Sequence, residues 1–200
     1  MPRVVPEYKE HARARIVEAA VAVFRRRGLP GGTMDEIARE IGVSKGALYL
    51  YFPTKSRLLA AVQEKLRDHT VGLLERELAH GDPAEGFVRA LDAILQGEFD
   101  VSVWHQLVTE AIVDPEIREV LRQDAREDRK NVHRLLERLA KEGRIHPAGD
   151  LDDIVDTIML LFQGTLAAVV HRGAPGDTRE QLIRALRLVL GTQPSRARRR

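Results

Sequence analysis

Between Ser44 and Lys55 the chain reads SKGALYLYFPTK: one cation near the start, then Gly46 and Ala47 with almost no side chain, then two phenols at Tyr49 and Tyr51. This stretch holds no nucleophile elbow, no paired carboxylates in an apolar setting and no glycine-rich phosphate loop, and neither does the rest of the chain. The chemistry on offer is therefore contact, not bond cleavage. A leading cation, two bare positions that let a backbone come close and two hydroxyls able to reach phosphates suit the major groove of double-stranded DNA. The competing interpretation is a plain helical hairpin inside a larger bundle, with the tyrosines as amphipathic surface.

Two short helices must position this set. Thr33 is a good N-cap, Asp35 and Glu36 fill the first turn behind it, and Met34, Ile37, Ala38 and Ile41 fall on one face until Gly42 stops the helix. Ser44 can cap the next helix, whose inward residues are Leu48 and Phe52, with Val43 packing under the turn. A glycine at the turn and a small Ala38 at the crossing satisfy a helix-turn-helix. An earlier helix is read from Ile16, Ala19, Ala20, Val23 and Phe24, ending in the RRRG of residues 25–28. A fourth, capped by Thr54, carries the stripe Leu59, Val62, Leu66, His69 and Leu73.

The remaining chain repeats the helical pattern. After the HGDP turn come Phe87, Ala90, Leu91 and Ile94, then Val101, Trp104, Val108, Ala111 and Ile112. Asp114 before Pro115 starts a long seventh helix with the polar middle RQDAREDRKN, by default a solvated face and otherwise a polar pocket wall or interface, whose like-charge pairs four apart bridges to other helices would offset. The eighth, about 151–171, is apolar nearly all round, with Asp156 and Gln163 its only strongly polar members, and the ninth shows Leu182, Ile183, Leu186, Val189 and Leu190. The expectation is an all-α protein of about nine helices, with a head at 1–56, a body at 57–192 and a disordered basic tail at 193–200. A helix apolar on every side must be covered on every side, so helices eight and nine are expected to close a two-fold homodimer.

Composition sets the outer limits. The 200 residues are 44% hydrophobic, enough for a core, and hold no cysteine, which excludes disulfides and thiolate chemistry. The seven histidines are scattered without helical pairing, so no metal is expected, nor any cofactor. No apolar leader and no membrane-spanning run are seen, which points to the cytoplasm with no membrane partner. Residues 1–57 carry 11 Lys and Arg against 6 Asp and Glu, and residues 58–195 carry 17 against 24. A basic head on an acidic body places only the head against a polyanion. The terminal RARRR is a solubilising end or an extra source of phosphate affinity.

The stretch TMDEIAREIGVSKGALYLYFPTKSRLL strongly resembles the N-terminal signature of the TetR family of transcriptional regulators, densely over about residues 12–62. Beyond that, helix number and order are similar to the family's. The resemblance implies a three-helix DNA-binding head, a body that binds a small effector, and a homodimer closed by the last two helices. Carried over by position, Thr33 would contact phosphate, Ser44 and Lys45 would open the recognition helix with Lys45, Gly46 and Ala47 nearest the bases, Tyr49 and Tyr51 would touch backbone, and Lys55 would hold phosphate. Asp35 departs from the pattern, since some members place an arginine near that point to touch a base.

Four residues are candidates for a pocket in the body: His69, Phe99, Trp104 and Gln163. Three of them also have a plain role. His69 can be a hydrogen-bonded core histidine and Trp104 ordinary packing, while Gln163 can pair with its two-fold mate, another helix or a ligand. The functional expectation is a ligand-responsive repressor of a palindromic operator, released by a small, mainly apolar effector, and not an enzyme. The alternatives are a DNA-binding architectural protein without effector and, remotely, a helical enzyme.

Overall fold

The computed structural model describes residues 6–96, 101–172 and 178–192. Among them there are nine helices and no strand: α1 (Pro6–Gly31), α2 (Met34–Ile41), α3 (Lys45–Tyr51), α4 (Lys55–Glu77), α5 (Pro83–Gln96), α6 (Val101–Val113), α7 (Pro115–Lys141), α8 (Leu151–Arg172) and α9 (Thr178–Leu190). Phe99 and the tail at 193–200 lie outside the described residues. The chain packs as two compact units, Met1–Arg67 with Ser102–Asp124, and Asp68–Val101 with Ala125–Arg200. This packing division differs from a cut at 56/57, because α4 and α7 are continuous helices that give residues to both units.

In the first unit α1 buries Ile16, Ala20, Val23 and Phe24, and against them pack Met34, Ile37 and Ala38 of α2, Leu48 of α3, Phe52, and Leu58, Leu59 and Val62 of α4. The residues after Phe24 bend because Gly28 has φ 70° and ψ 173°, which interrupts the helix before Leu29. Gly32 is required for a different reason: a Cβ there would run into the Phe24 ring. Gly42 adopts φ 71° and ψ 31°, and a double cap forms around it, with Gly42 N donating to Arg39 O at 3.2 Å and Val43 N to Ala38 O at 3.0 Å. That left-handed cap is the turn between α2 and α3.

Two expectations fail here. Val43 is exposed and does not pack under the turn. On α6 the buried face is Val103, Leu107 and Ala111, while Val108 and Ile112 point to solvent, Ile112 with 72% of its surface exposed. The segment VSVWHQLVTEAIV offers apolar residues on two faces, so periodicity alone cannot choose between them.

The second unit has its own core. Leu74 of α4 and Leu78 just after it, Phe87 and Leu91 of α5, Leu135, Leu136 and Leu139 of α7, Val155 and Ile158 of α8, and Leu182, Leu186 and Leu190 of α9 bury together. The Phe87 and Phe162 rings meet edge to face with centroids 5.9 Å apart. The polar run of α7 finds its bridges: Arg129 reaches Asp156 at 2.7 Å and Asp152 at 3.0 Å on α8. In the first unit, Asp124 pairs with Arg67 and accepts from Gln63 Nε2 at 3.1 Å. Burial nevertheless pushes the Asp124 carboxyl above its ordinary range, against the pull of Arg67.

Leu48 and Leu50 are neighbours but one, with opposite fates: Leu48 is fully buried and Leu50 is 85% exposed. Leu48→Ala should therefore cost about 2–5 kcal/mol in urea unfolding, whereas Leu50→Ala should stay within about 0.5 kcal/mol of the wild type. Equal effects would contradict the burial pattern of α3.

Candidate nucleic-acid interface

The interface is built by caps. The Thr33 hydroxyl oxygen accepts from Glu36 N at 3.2 Å and starts α2, and the Ser44 oxygen accepts from Ala47 N at 3.2 Å and starts α3. Both residues are exposed. A serine at this position satisfies one of the free N–H groups that begin every helix. It does so here with no acidic residue in the first turn of α3.

From that start, the short α3 leaves one side in the core and the other open. Lys45, Gly46 and Tyr49 are exposed and Ala47 is half-buried. No atom lies within 4 Å of where a Cβ on Gly46 would stand, so this part of the backbone is accessible to a large partner. The Lys45 ammonium lies 2.7 Å from Asp35 Oδ1 and 6.0 Å from the centre of the Tyr49 ring, and the hydrogen bond to Asp35 holds its pKa above the ordinary lysine value. Tyr51 is half-buried against the core, and its carbonyl accepts from Arg13 Nη1 at 3.0 Å. The same guanidinium sits 4.4 Å from the Phe52 ring centre, so α1 clamps the end of α3.

Lys55 differs from its expected presentation. Its ammonium is turned inward, donating to the Leu29 carbonyl at 2.5 Å and lying 5.7 Å from the Phe24 ring centre. Burial pushes its pKa down, with Glu110 opposing. Leu29 is held from both sides, because its N–H donates to Gln106 Oε1 at 2.5 Å. The start of α4 is capped by Thr54, whose Oγ1 accepts from Arg57 N at 3.1 Å. Arg26 of α1 pairs with Glu40 of α2 at 2.6 Å, which lowers the Glu40 pKa and fixes the two helices further.

Of the pocket candidates the structure describes His69, Trp104 and Gln163. His69 is exposed on α4, so it is not a core histidine, and Gln163 is exposed on α8 of the single chain. Trp104 is half-buried, with its ring edge-on to His105 at 5.3 Å between centroids. A cavity of about 540 Å³ in the second unit is lined by residues including Asp82, Arg144, His146 and Thr192, and by none of the described pocket candidates. Among the described residues no group of three or more His, Cys, Asp or Glu could hold a metal, and no helix is long and apolar enough to cross a membrane.

Sequence reasoning missed the Arg13 clamp and the Asp35–Lys45 pair. Arg13 and Tyr51 stand 38 residues apart, and no local pattern links them. Asp35 was visible as a first-turn acid and as a departure from an expected arginine, not as a partner of Lys45.

Two capped helices around a left-handed glycine, the second with a buried leucine and a bare, cation-led outer face, define a helix-turn-helix DNA-binding protein. Residues 16–62 match the family described as bacterial regulatory proteins, tetR family, and residues 83–192 match the BetI-type transcriptional repressor C-terminal family. The chain belongs to the TetR family of transcriptional regulators. It is 26% identical over 175 residues to the uncharacterized HTH-type transcriptional regulator YfiR of Bacillus subtilis (strain 168), spanning 85% of each chain. In fold it is similar to Salmonella enterica GusR, with a TM-score of 0.75 at 17% identity over 95% of this chain and 100% of that one. It is also similar to the multidrug binding protein EbrR solved with imidazole, with a TM-score of 0.70 at 21% identity over 92% and 97% of the two chains.

Because the Ser44 hydroxyl caps α3, Ser44→Ala should lower stability by about 0.5–2 kcal/mol, and Ser44→Gly by only a few tenths. Thermal unfolding followed by circular dichroism separates the two, and equal losses would mean the hydroxyl is not the cap.

Proposed function

We propose that the chain is a homodimeric repressor that grips a near-palindromic operator through α3 and lets go when a small, mainly apolar effector binds. The observation that carries this is the outer face of α3: Lys45, Gly46 and Tyr49 exposed over a buried Leu48. In this reading residues 1–56 bind DNA, residues 57–192 hold the effector and the dimer contact, and 193–200 form a basic tail. Lys45, Gly46 and Ala47 meet the bases, while Thr33, Ser44, Tyr49 and Tyr51 touch the backbone. Lys55 joins the phosphate contacts only if its ammonium leaves the Leu29 carbonyl. The protein works in the cytoplasm.

The dimer is assigned to α8 and α9. Leu160 on α8 is 69% exposed and Leu188 on α9 is 84% exposed in the single chain, a cost that a second copy removes. Leu186, by contrast, is buried in its own unit and reports on folding instead. The effector is supported by the neighbour described as a multidrug binding protein, solved with imidazole, and by the apolar residues of α5 and α8. His69, Phe99, Trp104 and Gln163 are its candidate contacts.

Binding to a duplex selected from a random pool tests the DNA contact. Affinity should fall steeply with salt as phosphates release counterions, and Lys45→Ala should change which bases are selected. Salt-independent binding would sink the assignment. For the dimer, Leu160→Arg with Leu188→Arg should give a helical monomer by sedimentation that no longer binds the operator; a variant that sediments as a dimer would remove α8 and α9 from the interface. For the effector, coupling of about 1–3 kcal/mol must be reciprocal. Titration followed by Trp104 fluorescence should show operator DNA weakening effector binding by the same factor as effector weakens DNA binding. An effector that leaves operator affinity unchanged defeats the regulatory reading alone.

A further inference from the structure

Helix α2 places a carboxylate on the same exposed face as the leading cation of α3. Lys45 Nζ lies 2.7 Å from Asp35 Oδ1 and 3.1 Å from Oδ2, and the two side chains are 59% and 53% exposed. A cation meant only to attract phosphate gains nothing from such a neighbour, since the pair is close to neutral and its carboxylate repels the same phosphates. Nor is the pair needed to join the two helices. The Gly42 cap and the burial of Ile37 and Leu48 do that, and exposed ion pairs contribute little to stability.

What the pair does offer is a donor and an acceptor side by side. The ammonium keeps an N–H to spare and the carboxylate keeps lone pairs to spare. In the major groove, guanine presents acceptors at N7 and O6 that suit lysine, and the cytosine paired with it presents an N4 amino donor that suits aspartate. We propose that Asp35 is a specificity-determining residue, and that Asp35 and Lys45 together read one G·C pair in each half-site, the ammonium on guanine O6 and N7 and the carboxylate on cytosine N4. This rests on α3 being the DNA-contacting helix. Gly46, open on the side where a Cβ would stand, lets the start of α3 come within reach of the base edges.

The test compares the full chain with its Asp35→Ala and Asp35→Asn variants in selection from a pool of randomised duplexes, followed by affinity for an unselected duplex at low salt. Wild type should fix a G·C pair at one position of each half-site. Asp35→Ala should lose that preference by roughly 5-fold or more at that position alone, and bind the unselected duplex more tightly. Asp35→Asn, which keeps the shape of the first turn of α2, guards against a folding defect and should show a smaller change at the same position. Unchanged base preference in both variants, with wild type still selecting a defined site, overturns the role of Asp35 and leaves the DNA-binding reading standing. A uniform loss at every position overturns it equally. A wild-type chain that enriches no sequence overturns the DNA-binding reading, and this proposal with it.

Discussion

A helix of seven residues has no stability of its own in water, because the cost of nucleating it is never recovered over so few turns. Helix α3 therefore exists only as far as Leu48 and Phe52 are driven into the core that α1, α2 and α4 provide. Everything on its outer face inherits its position from that burial. The Gly42 cap sets the direction in which α3 leaves α2, and the Arg13 contact with the Tyr51 carbonyl and the Phe52 ring fixes its far end. The outer residues are then free to be chosen for a partner, which is why glycine and alanine can sit where propensity alone would favour longer side chains.

The same economy explains the treatment of charge around this helix. Arg26 and Glu40 pair between α1 and α2, and Asp35 and Lys45 pair between α2 and α3, both at the surface. Lys55 is the exception, a half-buried cation satisfied by a backbone carbonyl. Farther along, Arg67 pairs with Asp124 of α7, and Arg129 of α7 pairs with Asp152 and Asp156 of α8. Polar runs on a long helix are tolerated when neighbouring helices supply the opposite sign.

Much of the head was legible because its signals are local. Thr33, Gly42, Ser44 and Thr54 act within a few residues of themselves, and each caps or stops the helix where its type suggested. The buried faces of α5 and α9 were legible for a similar reason, since one clear stripe left no rival. Helix α6 had two stripes and the sequence offered no way to choose. His69 has a core reading because it falls on the apolar stripe of α4, yet it is exposed, and Gln163 is exposed on the single chain. What covers an apolar helix is a property of its neighbours, including a second copy, and not of its own sequence. Lys55, Arg13 and the Asp35–Lys45 pair depend on side chains brought together by the fold, and composition carries no trace of them.

The central claim is that α3 enters the major groove of an operator, and methylation interference on a selected duplex tests it most directly. Methyl groups on guanine N7 project into the major groove, whereas those on adenine N3 project into the minor groove. Binding through α3 predicts interference from N7-methylguanine in two clusters, one helical turn or a multiple of it apart, as a two-fold dimer requires. Interference confined to adenine N3, or none at either position, would contradict it.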